Sequence, residues 1–192
     1  MSSINRRAFL RASSAVIASV ASSFAVPALA KVAAPAVVGL KSTNCRTVAF
    51  ACLYSGERLK ADYWVDGYYV PEELARIDKA LRDFRDGTIR PIEPKLLDFI
   101  HRLGQEVDAP SAFEVICGYR SPETNEWLRR RSTGVAEHSL HMKGLAIDLC
   151  VPGRALDKVH QAALHLRLGG VGYYPDSDFV HLDSGRVRRW TG

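Results

Sequence analysis

Asp148 stands in the middle of an eight-residue apolar run, 144–151 (GLAIDLCV). A run of that length and composition reads as a buried strand. An ionised carboxylate inside it needs a cation or several hydrogen-bond donors, and a metal is one such cation. Just upstream lies Ser139-Leu-His141-Met-Lys-Gly144. His141 and Asp148 are seven residues apart, a spacing that does not share one helix face. They meet only if His141 precedes a turn at Gly144 and Asp148 lies on the strand that follows.

The rest of the chain supplies the frame. Of 192 residues 47% are hydrophobic and 24% charged, too apolar for a disordered chain, and long enough to bury one sizeable core. Residues 46–53 (RTVAFACL) and 59–65 (LKADYWV) read as two strands of a hairpin, with a turn at Ser55-Gly56-Glu57. Leu74, Ile77, Leu81 and Phe84 fall on one helical face over 71–84, and Leu97, Ile100 and Leu103 repeat the pattern over 94–103. Residues 113–117 (FEVIC) form a short strand. Ser121 is placed to cap a helix with Pro122 in its first turn. A helix over 155–168 and strands over 170–174 and 179–183 close the chain. Strands and helices alternate without a regular βαβ rhythm, so the expected class is α+β: a small, mostly antiparallel sheet flanked by helices.

The last strand carries a second constellation, Asp178-Phe-Val-His181-Leu-Asp183. Strand side chains alternate, so His181 faces away from Val180 and Leu182. His141, Asp148 and His181 make an N, O, N donor set, one that suits catalytic zinc with a fourth position left for water. Zinc brings the pKa of such a water to about 7, and a carboxylate must then carry its proton. Asp178, three residues before His181, is the candidate. Each piece alone has a plainer reading: a strand histidine as a hydrogen-bonded core residue, a buried aspartate as a turn cap.

The ten residues SLHMKGLAID resemble the Ser-x-His-x-x-Gly-x-Ala-x-Asp motif of zinc peptidases of the D-Ala-D-Ala carboxypeptidase, VanX and VanY type, which share the hedgehog/DD-peptidase fold. Cys117-Gly-Tyr-Arg-Ser121 is similar to that family's Ser-Gly-Tyr-Arg-Ser segment. DFVHLDSGRVRRW, SGERLKADYW and LRDFRDG resemble its murein endopeptidase K branch, so the likeness covers roughly 45–190. The resemblance implies His141, Asp148 and His181 as ligands of one Zn2+, Asp178 as general base, and Arg120 beside the metal to polarise a carbonyl or hold a carboxylate. It implies a peptidase acting on peptidoglycan stem peptides, most simply an endopeptidase cutting their cross-links. The alternatives are a carboxypeptidase trimming terminal D-Ala and a non-catalytic zinc module that binds murein. Asp183 is a candidate to orient His181, or a plain surface residue. Cys117 departs from the family's Ser, and points to a structural disulfide with Cys150.

Residues 1–30 read as a signal peptide. A basic start is followed by an apolar stretch broken by serines and then Ala28-Leu29-Ala30. That stretch is too weak for a membrane span. Asn5-Arg6-Arg7-Ala8-Phe9-Leu10 resembles the twin-arginine export motif, so the expected partner is that translocation machinery and the expected location the periplasm or cell envelope. Residues 31–44 read as a linker and 45–192 as the peptidase domain. The net charge is +5, and the segment 1–30 carries +3 of it, so the remaining +2 gives no case for a nucleic-acid partner. Export permits disulfides; Cys45, Cys52, Cys117 and Cys150 allow three complete pairings, and buried free thiols are the alternative. Oligomeric state is not legible.

Overall fold

A computed structural model of the protein describes residues 44–132 and 134–192. The signal peptide and nearly all of the expected linker lie outside the described residues. Among the described residues, strands β1 (Cys45–Cys52), β2 (Arg58–Val65) and β3 (Tyr68–Tyr69) are followed by helices α1 (Pro71–Ala80) and α2 (Pro94–Glu106). Then come β4 (Phe113–Cys117), α3 (Pro122–Arg129), β5 (Ala146–Cys150), α4 (Leu156–Leu166), β6 (Gly170–Tyr174), β7 (Phe179–Asp183) and β8 (Arg188–Thr191).

The strands form one sheet in the order β3-β2-β1-β4-β5-β7-β6-β8. The α+β expectation holds, and most neighbours are antiparallel. The sheet is nevertheless mixed and larger than expected, because β1 runs parallel to β4 and β6 parallel to β8. The hairpin forms as expected, with Phe50 opposite Leu59.

Alternation divides the central strands into two faces. Ile147, Leu149, Val180, Leu182 and Val171 are fully or almost fully buried in one core cluster with Leu96, Leu97, Ile100 and Leu103 of α2 and Val159 and Ala163 of α4. Each such aliphatic side chain removed from water is worth about 1.5–3 kcal/mol. The residues between them, Asp148 and His181, turn to the other face, as the period of two requires. Two local signals read from sequence reappear. Ser121 caps α3 by accepting from the Thr124 amide at 3.1 Å, and Pro122 stands in its first turn.

The expected helix over 71–84 stops at Ala80. Its next carbonyl, Leu81, accepts from the Tyr119 amide at 2.8 Å, so the chain leaves the helix to hold the segment after β4. The expected strand over 144–151 starts only at Ala146, after a 3-10 turn over Leu140–Lys143.

The expected disulfide does not form; Cys45, Cys52, Cys117 and Cys150 are all free. The register explains the Cys117–Cys150 case. Cys117 stands opposite Asp148, and Cys150 opposite Glu114. The two thiols therefore sit a full row apart, about 7 Å along the strand, beyond the reach of a bridge once the lateral step is added.

Candidate active site

One row across the sheet carries the site. Reading from β4 to β8, residues in register are Cys117, Asp148, His181, Gly172 and Trp190. His141 joins this row from the 3-10 turn. The motif residues around it each have a physical task. Ser139 caps the turn, its hydroxyl accepting from the His141 amide at 3.3 Å. Gly144 ends it in the left-handed region at φ 69°, where a Cβ would also strike the Pro91 carbonyl oxygen. The chain thus reverses within four residues and delivers His141 and Asp148 to the same place.

The three sequence-derived donors converge. His181 Nδ1 lies 2.8 Å from Asp148 Oδ1 and 3.1 Å from His141 Nε2. His141 Nε2 lies 3.2 Å from the same Asp148 oxygen. Donors at the usual 2.0–2.1 Å from a tetrahedral zinc ion stand about 3.3 Å from one another, so this triangle has close to the required edge.

The hydrogen bonds behind the triangle orient the rings. His141 Nδ1 faces the Gly118 carbonyl oxygen at 2.7 Å; a carbonyl only accepts, so Nδ1 carries the proton and Nε2 presents a lone pair. His181 Nε2 faces Asp183 Oδ2 at 3.2 Å, which leaves its Nδ1 as the free donor. A ligating histidine held through its other nitrogen by a carbonyl or carboxylate is the usual arrangement in metal sites. The donor set therefore fits zinc.

Asp183 is no surface residue. It is 0% exposed and also accepts from Arg188 Nη2 at 2.7 Å, Arg188 Nη1 at 2.9 Å and the Gly185 amide at 2.9 Å. Burial alone would raise its pKa, yet these donors and His181 bring it down to about 2. Without a cation, the triangle is tied together by charge. Burial disfavours the His141 imidazolium, but Asp148 and Cys117 outweigh it and push its pKa up to about 10. The Asp148 carboxyl is held far below the usual range by the two imidazoles despite its own burial.

Arg120 reaches the same point. Its Nη2 is 3.8 Å from Asp148 Oδ2 and 3.5 Å from the Cys117 sulfur. Its Nη1 donates to Asn125 Oδ1 at 3.2 Å, and among the described residues its buried Nε has no hydrogen-bond partner. Two residues that sequence reading missed hold it there. Asp83, 1% exposed, accepts from the Ser121 amide at 2.9 Å. Asn125 anchors the cleft loop by donating to the Ala136 carbonyl at 3.1 Å. Cys117 stands with His141 and Asp148 as a potential metal donor, their ligand atoms lying within 4.8 Å of one another. Its thiol pKa is lowered by His141 and Arg120 against the effect of burial.

The triad opens onto a cleft of about 700 Å³. Arg120, Leu140, Tyr174, Phe179, Arg188 and Trp190 wall it. Tyr174 and Phe179 stack with centroids 4.5 Å apart, and the Trp190 indole donates to the Tyr174 hydroxyl at 2.9 Å. Gly172 makes room for that indole, since a Cβ there would lie 2.6 Å from a Trp190 ring carbon.

Asp178 is the one expected site residue not brought to the triad. It is exposed, in the left-handed region at φ 54°, between the cleft-lining Ser177 and Phe179. Among the described residues its carboxylate forms no hydrogen bond or ion pair, and its charge is felt at Cys150. Away from the triad, His101 Nδ1 meets the Thr47 carbonyl oxygen at 2.9 Å and His160 stacks on Tyr173, while His138 lines the cleft.

The family model described as peptidoglycan L,D-endopeptidase MepK matches residues 40–190. The chain is 42% identical over 156 residues to the peptidoglycan L,D-endopeptidase MepK of Escherichia coli K12, covering 81% of this chain and 86% of that one. It is 41% identical over 148 residues to the probable peptidoglycan L,D-endopeptidase MepK of Haemophilus influenzae, covering 77% and 80%. The match takes in strands β1 to β7, β8 as far as Trp190, and Arg120, His141, Asp148, Asp178 and His181, and the chain belongs to the MepK family of M15 peptidases.

Proposed function

We propose that this chain is a zinc-dependent endopeptidase that hydrolyses peptide cross-links of peptidoglycan in the cell envelope. The relatives' name, L,D-endopeptidase, directs the reading to a cross-link between an L and a D centre. The observation that carries the metal chemistry is the 2.8–3.2 Å triangle of His141, Asp148 and His181 with both imidazole tautomers fixed from behind. A zinc ion held there would act as a Lewis acid and lower the pKa of a water to about 7.

The chain's own residues do the rest. Asp148 offsets the cation's charge and, with both histidines, leaves the cleft side open. Arg120, which lines the cleft with its Nη2 3.8 Å from Asp148 Oδ2, donates to the scissile carbonyl oxygen and holds the negative charge that develops there. Asp178, at the cleft rim, takes a proton from the attacking water and returns it to the leaving amine. No serine or cysteine nucleophile is required; the Cys117 thiol sits beside Arg120 and stays out of the bond-making steps. The twin-arginine motif at Arg6-Arg7 supports export to the periplasm, and Arg6→Lys with Arg7→Lys is expected to abolish it.

Mass spectrometry of defined muropeptides tests the activity. Cross-linked dimers are expected to fall to monomers, with a chelator stopping the reaction. Shortened pentapeptides with dimers intact would make the enzyme a carboxypeptidase, and no product from either would leave a binding module. Asp178→Ala is expected to keep zinc and lose turnover; full turnover would move the proton carrier elsewhere.

A further inference from the structure

The cleft does not end at the triad. Its wall at Ser132 and Val135 is shared with a second, shallower groove of about 690 Å³ lined by Arg129, Arg130 and Arg131. We propose that this arginine-lined groove is a substrate subsite that takes a free carboxylate of an acidic peptide, and that Arg131 is its specificity-determining residue. The proposal rests on the peptidase reading and deepens it: a substrate strand lying across the triad continues past Ser132 into the groove.

The three guanidinia differ in how they are occupied. Arg129 pairs with Glu126 at 3.0 Å and Glu137 at 3.6 Å, and Arg130 pairs with the same Glu126 at 3.0 Å. Such exposed pairs are worth little and exchange readily with solvent or a ligand. Among the described residues Arg131 has no carboxylate partner. Its guanidinium lies 4.2 Å over the Trp127 ring, with a single 3.4 Å contact to the Trp127 carbonyl oxygen. Stacking fixes the plane of the fork and leaves its edge free, the geometry that receives a carboxylate through two parallel hydrogen bonds. Trp127 is itself 46% exposed and has the Arg85 guanidinium 5.7 Å from its ring centroid, a second cation at the same indole.

The occupant follows from charge. Arg120 and Arg188 line the cleft proper, and three more arginines line its extension. Of the nearby carboxylates, Asp148 is committed to the triad, Asp178 stands at the cleft rim, and Glu126 and Glu137 are paired with Arg129 and Arg130. An uncharged peptide gains no charge-assisted contact with these guanidinia. A stem peptide, which carries free carboxylates along its length, gains a charge-assisted contact away from the scissile bond, where binding energy lowers KM without altering the chemical step.

The test uses zinc-loaded protein, with Asp178→Ala as the non-cutting background for every binding measurement and an intact Asp178 for turnover, and two synthetic cross-linked stem peptides, one with free carboxylates and one with them converted to carboxamides. Calorimetry is expected to show the free acid bound about tenfold tighter when Arg131 is intact, a difference of about 1.4 kcal/mol, and the preference is expected to shrink at high salt. Arg131→Gln is expected to erase the preference while leaving binding of the amide unchanged. Arg131→Lys is expected to restore only part of it, because the charge returns without the fork. In turnover the Gln variant is expected to raise KM for the acid with kcat kept. Equal binding of acid and amide with Arg131 intact, or an intact preference in Arg131→Gln, overturns the subsite. If the acid preference is found and depends on Arg131 but neither peptide is cut, the peptidase reading fails and the subsite stands.

Discussion

Asp183 accepts from His181 Nε2 at 3.2 Å while the two terminal nitrogens of Arg188 hold the same carboxylate at 2.7 and 2.9 Å. The ring that offers Nδ1 to the metal is thereby fixed from behind by a fully buried carboxylate. Its charge is balanced by a cleft-lining guanidinium stacked 4.9 Å over Trp190. Asp183→Asn keeps an acceptor but removes the charge that raises the ligand's basicity. It is expected to weaken zinc binding about 10- to 100-fold, read by competition with a chromophoric chelator. Unchanged affinity would reduce Asp183 to a structural residue.

Cys117 is close enough to the triad to compete as a ligand. The hydrogen bonds that orient both imidazoles favour the two histidines with Asp148, and the Cys117 sulfur is engaged by Arg120. Cys117→Ser is therefore expected to retain one zinc per chain and its affinity. Protein loaded with Co2+ is expected to show no thiolate-to-metal charge-transfer absorption; its presence, lost in Cys117→Ser, would place sulfur on the metal.

A separate cluster secures the β1–β2–β3 edge to α2. Asp98 accepts from Arg46 at 2.6 Å, Tyr63 at 2.9 Å and Tyr69 at 2.8 Å. Burial alone would raise the Asp98 pKa, but these three donors outweigh it and hold it below its ordinary value. A carboxyl whose pKa is depressed on folding contributes stability above its unfolded pKa of about 3.9 and loses it as pH falls through the folded value. Asp98→Asn is expected to cost about 1–2 kcal/mol at neutral pH, measured by urea unfolding, and the gap is expected to narrow as the solution is acidified below pH 4. Murein hydrolysis is expected to be unaffected, since Asp98 lies outside the cleft. A gap that stays constant into acid would mean the ionised carboxylate is not what stabilises this edge.

Much of this architecture was legible because its signals are local. The alternation around His181 turned it away from Val180 and Leu182, the apolar run around Asp148 called for a cation or donors beside it, and a turn at Gly144 was needed for His141 to reach Asp148. The cap at Ser121 and the apolar faces of the helices were equally readable. What escaped depended on distant partners. Helix α1 ends early because Tyr119, far along the chain, claims the Leu81 carbonyl. Strand β8 was not expected at all, since its Arg188–Trp190 alternation gains meaning only beside Gly172, whose missing side chain admits the indole. The cysteine spacing carried no information on register, and the register sets Cys117 and Cys150 a row apart. Asp83 and Asn125, which hold the Arg120 segment, look in sequence like any polar loop and helix residues.

The account depends on three side chains sharing one divalent ion. Elemental analysis of the mature protein, purified with metal supplied, measures this most directly when wild type and His181→Ala are compared. One zinc per wild-type chain, with metal and murein hydrolysis lost together in the variant, is the expected result. A metal-free wild type that still cuts cross-linked muropeptides, or a variant that keeps its zinc, would contradict it.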